Sequence, residues 1–159
     1  MRRELSKKNR TAYLPLVANS LNNLATLMRQ TNKALIARTY YEEAIDIYRE
    51  LSHNESDVYK SSLAMTLSNL ALLYAQEEEL EPAKRAYAEA LKIRKDLAQR
   101  HPQAYEIDYA QTLLIGETIL GNSAHKIEDI KNILDKYPEN PKAKKLMKGL
   151  SIIQEKQEE

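Results

Sequence analysis

The chain has 159 residues, of which 43% are hydrophobic and 30% are charged, a composition that supports one folded domain with a buried core rather than a disordered chain. Its 24 basic and 23 acidic residues leave a net charge of +1, which gives no bulk attraction to nucleic acid or to an anionic membrane. The absence of Cys excludes disulfides, thiolate zinc sites and cysteine nucleophiles, and the three Gly argue against a phosphate-binding loop.

The N-terminal residues show no targeting signal. The stretch M-R-R-E-L-S-K-K-N-R is charged and no apolar run follows it, so it does not resemble a signal peptide. No window approaches the roughly 20 apolar residues of a membrane span. These features predict a soluble, cytoplasmic protein.

An internal repeat of 46 residues organises the chain. Residues 13–51 and 59–97 share 14 identities in 39 aligned pairs, far above the number that chance gives. The motif Glu4-Leu5-Ser6 also lies 46 residues before Glu50-Leu51-Ser52, which suggests that the chain opens with the tail of a preceding repeat. The predicted divisions of a single domain, 1–159, are a remnant at 1–12, repeat one at 13–54, repeat two at 56–100, a degenerate repeat three at 102–137 and a capping helix at 141–159.

Each repeat is predicted to form two helices, because apolar residues recur at steps of three and four. In repeat one these residues are Leu14, Val17, Leu21, Leu24, Ala25 and Met28, followed by Ala37, Tyr41, Ala44, Ile45, Tyr48 and Leu51. In repeat two they are Leu63, Leu67, Leu70, Ala71 and Tyr74, followed by Ala83, Tyr87, Ala90 and Leu97. The repeated Ala residues allow the helices to cross closely, and the Tyr residues fill the space beside them. Pro15, Pro82 and Pro102 are expected in first turns, where their missing N–H costs nothing.

The last third of the chain is predicted to hold shorter helices. Gly121-Asn122-Ser123 is a break with Ser123 as a candidate N-cap, and residues 124–136 carry Ile127, Ile130, Ile133 and Leu134 at helical spacing. A last helix is expected from about Pro141. Its polar end suits the terminal cap of a repeat array.

The pattern L-x-x-L-A-x-L followed by A-x-x-x-Y-x-x-A resembles the tetratricopeptide repeat, a helix–turn–helix unit of 34 residues. The longer period of 46 is similar to the repeats of kinesin light chains and of large bacterial tetratricopeptide arrays. The resemblance implies an all-α superhelix, or solenoid, whose first helices line a concave groove that binds a peptide or helix. It therefore implies a non-catalytic protein–protein interaction module, an adaptor or scaffold.

Groove-lining side chains are predicted on the first helix of each repeat, away from the packed stripe. They are Asn19, Asn22, Asn23, Thr26 and Gln30, then Met65, Ser68, Asn69, Leu72 and Gln76, then Gln111 with Leu114 and Ile115. The resemblance implies that Asn23 and Asn69, at one repeat position, hydrogen-bond the backbone of an extended ligand. The alternative is repeat duplication or a hydrogen bond between repeats. Basic residues of a carboxylate clamp are not found at these positions.

No constellation predicts catalysis, a cofactor or a bound metal. His53, His101 and His125 lie apart in the sequence beside predicted helix ends, where solvated His is the simpler interpretation. The cluster Glu77-Glu78-Glu79 precedes a helix, whose dipole favours acidic residues. Partners are therefore expected to be proteins or peptides, not nucleic acid or membrane.

Two alternatives to the adaptor role stay open. The first is a structural unit that associates with itself through its N-terminal end, where Leu14, Val17 and Leu21 lack a full preceding repeat to cover them. The second is a regulatory domain of a bacterial signalling or transcription system, which rests on analogy of fold alone.

Overall fold

The computed structural model describes the backbone of residues 2–53, 56–121 and 124–158 and the side chains of residues 12–53, 56–121 and 127–155. Within these residues there are seven α-helices and no β-strand, so the predicted all-α helical-repeat class is confirmed. The helices are α1 (Arg2–Gln30), α2 (Ala34–Ser52), α3 (Asp57–Gln76), α4 (Leu80–Arg100), α5 (Pro102–Leu120), α6 (Ala124–Leu134) and α7 (Pro141–Glu158).

The helices belong to two compact units, Met1–Ala90 and Leu91–Glu159, where the sequence predicts a single domain. In the first unit α1 packs on α2, α2 packs on α3, and α1 touches α3. The predicted small residues Ala25, Ala37 and Ala44 are fully buried at these contacts, and Tyr41 is fully buried beside them. This confirms the role of Ala and Tyr in the core.

The turns inside repeats one and two have the same geometry. Asn32 and Glu78, which are 46 residues apart, both adopt positive φ, at 57° and 61°. In each turn the next residue donates its N–H to the carbonyl five residues earlier, at 2.9 Å from Lys33 and 2.8 Å from Glu79. This is the Schellman pattern that ends helices, so the sequence repeat extends to the backbone hydrogen bonds.

The N-terminal helix differs from its prediction. Residues 2–30 form one continuous helix, so the expected remnant at 1–12 does not form a separate element. Glu4-Leu5-Ser6 therefore lies in the first turns of α1, although its counterpart Glu50-Leu51-Ser52 ends α2. Pro15, expected in a first turn, lies inside α1 instead, whereas Pro82 and Pro102 lie in first turns as predicted.

The second unit packs α5, α6 and α7 around an apolar cluster that contains the predicted Ile127, Ile130, Ile133 and Leu134 of α6. Its buried members are Ala110, Leu113, Ile127, Ile130, Ile133, Leu134, Ala143 and Leu150. Gly121 ends α5 at φ 70°, a conformation that L side chains rarely adopt. The predicted N-cap Ser123 lies outside the described residues.

An ion-pair network links the ends of this second unit. The buried Arg94 donates to Asp108 at 2.8 Å, and Lys142 bonds the other oxygen of the same carboxylate. Burial lowers the pKa of the Arg94 guanidinium, and the charge of Asp108 opposes that shift. Side chains of α4 and α7 thus share one carboxylate of α5, and the attraction to Asp108 offsets part of the cost of burying the Arg94 charge.

Candidate functional site

The candidate site is the outer surface shared by α1 and α3, the first helices of repeats one and two. Two side-chain hydrogen bonds cross between these helices. Asn69 Nδ2 donates to Asn22 Oδ1 at 3.3 Å, and Arg29 Nη1 donates to Gln76 Oε1 at 2.9 Å. Each bond joins residues 47 apart, and the bonds are seven residues, or two turns, apart along each helix. They fix the lateral position of α1 against α3.

The repeated asparagines occupy different environments. Asn23 is exposed on α1, whereas Asn69 is half-buried on α3 and bonded to Asn22. Asn69 thus makes the inter-repeat hydrogen bond that the sequence left open as an alternative to ligand binding. The bond uses one donor of the Asn69 amide, and an amide also carries a second donor hydrogen and an acceptor oxygen.

Thr26 supports a core residue. Its hydroxyl donates to the carbonyl of Asn22 at 3.0 Å and lies 3.0 Å from the hydroxyl of Tyr41. Since the single Thr26 proton goes to that carbonyl, Tyr41 is the donor in the second bond. A fully buried phenol is thereby satisfied, which is a structural role that the sequence analysis missed. The signal was available in the chain, because Tyr41 was predicted in the core and needed an acceptor.

The remaining predicted groove residues differ in exposure. Asn22 and Ser68, expected on the groove surface, are instead buried at 3% exposure, because their helix faces turn toward neighbouring helices. Ser68 donates to the carbonyl of Ala64 within its own helix. The exposed members of the predicted set are Asn19, Asn23, Gln30, Met65 and Gln76. Leu72 is half-buried in the first unit; Gln111, Leu114 and Ile115 are half-buried on α5 in the second.

The surface carries almost no charge. Between residues 12 and 30 of α1 the only charged side chain is Arg29, and its guanidinium is engaged by Gln76. Between residues 61 and 76 of α3 there is none. The surface therefore presents amides and apolar groups, which suit backbone hydrogen bonding and side-chain burial rather than recognition of a charged group.

The repeats have a counterpart among known proteins. The tetratricopeptide repeat model matches residues 17–52 and 63–104, which contain most of the repeat-one helices and the helices of repeat two. The chain belongs to the tetratricopeptide repeat family. Such repeats are generally protein–protein interaction modules, typically without catalytic activity. No curated protein matches the chain.

Charged groups in this tetratricopeptide unit concentrate where α2 meets α3 and α4. Arg38 pairs with Glu79 and lies over the Tyr74 ring, 4.9 Å from its centroid, while Tyr74 Oη donates to Glu42 at 3.3 Å. Arg49 Nη2 contacts both carboxylate oxygens of Glu89, at 2.9 and 3.0 Å. These contacts fasten the second helix of repeat one to repeat two.

Two pKa shifts follow from this arrangement. The hydrogen bond to Glu79 raises the pKa of Arg38. Burial, followed by the negative charge of Glu42, raises the pKa of Tyr74, which Arg38 partly opposes. The nearby cavity of about 240 Å³, lined by residues including Ile45, Leu70 and Arg85, is smaller than typical small-molecule sites.

The predicted self-association residues are unevenly exposed. Val17 is 44% exposed, whereas Leu14 and Leu21 are half-buried. Self-association through this end stays a prediction.

The structure describes the side chains of two of the three histidines. His53 and His101 are exposed at helix ends, as predicted, and the side chain of His125 lies outside the described residues. No group of three or more potential metal ligands occurs within the described part of the chain. Among the described helices, none has the length and apolarity needed to cross a membrane.

Proposed function

We propose that this protein is a non-catalytic adaptor or scaffold that binds an extended peptide or a helix along the shared surface of α1 and α3. The observation that carries the proposal is the uncharged surface centred on Asn23 and Asn69, on helices held in register by two hydrogen bonds. A surface fixed before binding loses less conformational entropy when a ligand binds.

The two amides have complementary roles in the proposal. Asn23 is exposed and offers its whole side chain to a ligand backbone. Asn69 is oriented by its bond to Asn22, so its remaining donor and acceptor are aimed by the protein. Met65 and Leu72 provide apolar contacts beside them for ligand side chains.

The scarcity of charge defines the ligand class. We expect peptides that bind through their backbone and apolar side chains, with no requirement for a C-terminal carboxylate. Because few ion pairs would form, affinity should change less than about twofold between low and physiological salt.

Peptide selection tests the proposal directly. A displayed library of random peptides is selected on the immobilised protein, and the affinities of the selected peptides are measured by calorimetry. Replacing Asn23→Ala should weaken binding about two- to tenfold, the effect of losing one hydrogen bond of about 0.5–1.5 kcal/mol. Glu50→Ala, at an exposed position on α2, is the matched control and should have no effect.

Asn69 requires a second control because it also bonds Asn22. Asn22→Ala removes this hydrogen bond within the chain while leaving the Asn69 amide in place. If Asn69 contacts the ligand, Asn69→Ala should weaken binding more than Asn22→Ala does. Selected peptides whose affinity is the same for the wild type, Asn23→Ala and Asn69→Ala would show that this surface is not the binding site.

A further inference from the structure

A stripe of exposed apolar side chains runs along α1 beside Asn23, which is four residues from Leu27 and seven from Leu16. The α1 stripe comprises Tyr13, Leu16, Val17, Leu24 and Leu27, and Leu35 and Ile36 in the first turn of α2 are exposed as well. Each of these side chains is at least 44% exposed. A contiguous apolar stripe of this kind marks an interaction surface.

Repeat two shows what such a stripe looks like when it is covered. The counterparts of Val17, Leu24 and Leu27 are Leu63, Leu70 and Leu73, 46 residues further along. The first three are 44–50% exposed, and their counterparts are only 2–5% exposed. The same position in the repeat is therefore an open surface in one copy and a buried interface in the other.

The cover in repeat two is helix α2. It packs along α3, with Ile45 beside Leu70 and with Arg38 and Arg49 paired to Glu79 and Glu89. The face of α2 that contacts repeat two therefore carries the apolar Ile45 between two charged residues, Arg38 and Arg49. These two are 11 residues, or about three helical turns, apart. The α1 stripe presents the same kind of apolar surface for a helix to pack on.

Residues 2–10 do not provide that cover. Their counterparts, 48–56, contain the end of α2 and the start of the loop that follows it. Residues 2–10 instead form the N-terminal part of α1, so they belong to the same helix as the stripe and not to a second helix packed on it.

We propose that the α1 stripe is a docking site for an amphipathic helix of a partner protein. The charges beside the stripe define its chemistry. Lys33 stands where repeat two has Glu79, and Glu43 stands where it has Glu89. Both side chains are exposed, and neither has an ion-pair partner among the described residues. The partner helix therefore carries an acidic residue facing Lys33 and, 11 residues later, a basic residue facing Glu43.

A second copy of this chain fits the stripe less well. The exposed face of α7 carries Lys144, Lys145 and Lys148, which would meet Lys33. Charge thus favours a partner of different sequence.

The test uses a synthetic helix based on α2 itself. The probe is a fluorescent peptide of residues 34–52 with Arg38→Glu, and the comparison peptide keeps Arg38. Both carry a helix-stabilising link between positions 39 and 43, because an isolated helix of this length is marginally stable. Binding to the intact protein is measured by fluorescence anisotropy.

We expect the Arg38→Glu peptide to bind about three- to tenfold more tightly than the comparison peptide, because its acid meets Lys33. The protein variant Lys33→Glu should reverse that order. The double variant Leu24→Glu/Leu27→Glu should abolish binding of both peptides. Ile152→Glu, which changes an exposed apolar residue on α7, is the matched control and should leave binding unchanged. Asn69→Ala, on the neighbouring helix α3, should also have no effect, which separates this site from the proposed peptide surface.

Three results would overturn the proposal. The first is no binding of either peptide at about 500 μM, a concentration that detects even weak complexes. The second is an order of affinities that Lys33→Glu does not reverse. The third is a homodimer, seen by sedimentation velocity, that Leu24→Glu/Leu27→Glu dissociates, since a second copy would then be the occupant.

Discussion

Repeats one and two share their sequence pattern, their helix–turn–helix geometry and the hydrogen bonds of their turns, yet they differ in what lies on their first helix. Leu70 of repeat two is buried under α2, whereas Leu24, at the same repeat position, is exposed. A repeat pattern therefore shows which face of a helix is built for packing. Whether that face is a core or a docking surface depends on the presence of a neighbour.

The largest expected effect comes from truncating this pair of leucines. Leu70→Ala should lower the free energy of unfolding by about 2–5 kcal/mol, because it removes buried methyl groups and leaves a cavity. Leu24→Ala should change it by less than about 0.5 kcal/mol, since the side chain is already exposed. Urea denaturation measures both. Similar losses for the two variants would show that repeat one is covered as repeat two is.

A second difference concerns the buried tyrosine hydroxyl. In repeat one Thr26 accepts the hydrogen bond of Tyr41, while the counterpart of Thr26 in repeat two is Leu72. Thr26→Val should destabilise the protein by about 1–3 kcal/mol, because it leaves a buried hydroxyl without its acceptor.

Tyr41→Phe provides the control for this prediction. Combined with Thr26→Val it removes both partners, so the double variant should be less destabilised than the sum of the two single variants. Strict additivity would mean that the 3.0 Å contact contributes nothing to stability.

The matching turns allow a smaller comparison. Glu78 and Asn32 both have positive φ, but Asn tolerates this conformation and Glu does not. Glu78→Gly should raise the free energy of unfolding by about 0.5–1 kcal/mol by relieving backbone strain. Asn32→Gly should be near neutral. Thermal unfolding of the two variants checks the difference, and a destabilised Glu78→Gly would contradict it.

The smallest effect is the pH dependence that Tyr74 contributes in repeat two, where repeat one has Met28. Burial and Glu42 raise the pKa of Tyr74, so the folded state keeps this proton to higher pH than the unfolded chain does. The contribution of Tyr74 to stability is therefore complete below about pH 10 and is lost as the pH rises through the folded-state pKa. Tyr74→Phe should reduce the fall in stability between neutral and alkaline pH, as measured by urea denaturation. An unchanged fall would refute the assignment.

The sequence predicts much of this fold because its small residues and tyrosines recur at fixed positions. Ala37, Ala44 and Tyr41 are buried as their spacing indicates. The continuity of α1 was not predictable from the repeat alignment. Residues 6–11, Ser-Lys-Lys-Asn-Arg-Thr, contain no Gly or Pro and permit a continuing helix, although in the aligned stretch 52–57 helix α2 ends and α3 begins.

The site was predicted less completely than the fold. Helical spacing gives the direction in which a side chain leaves the helix, but it does not show how close the next helix lies. Asn22 and Ser68 are therefore buried where an open groove was expected. Asn69 was predicted to bind a ligand, with a hydrogen bond between repeats as the alternative, and its bond to Asn22 became visible only when α1 and α3 were placed side by side.

The claim that the apolar face of α1 is open, whereas the equivalent face of α3 is covered, is tested best by the accessibility of equivalent positions in the two repeats. The chain has no Cys, so a variant with one introduced Cys carries a single thiol. The four variants are Leu24→Cys, Leu27→Cys, Leu70→Cys and Leu73→Cys. Their reaction rates with a thiol reagent are compared under native conditions and in denaturant. We expect the thiols at 24 and 27 to react within about tenfold of their denatured rate and those at 70 and 73 to be protected by at least about a hundredfold. Equal protection at positions 24 and 70 in the monomeric protein would contradict it.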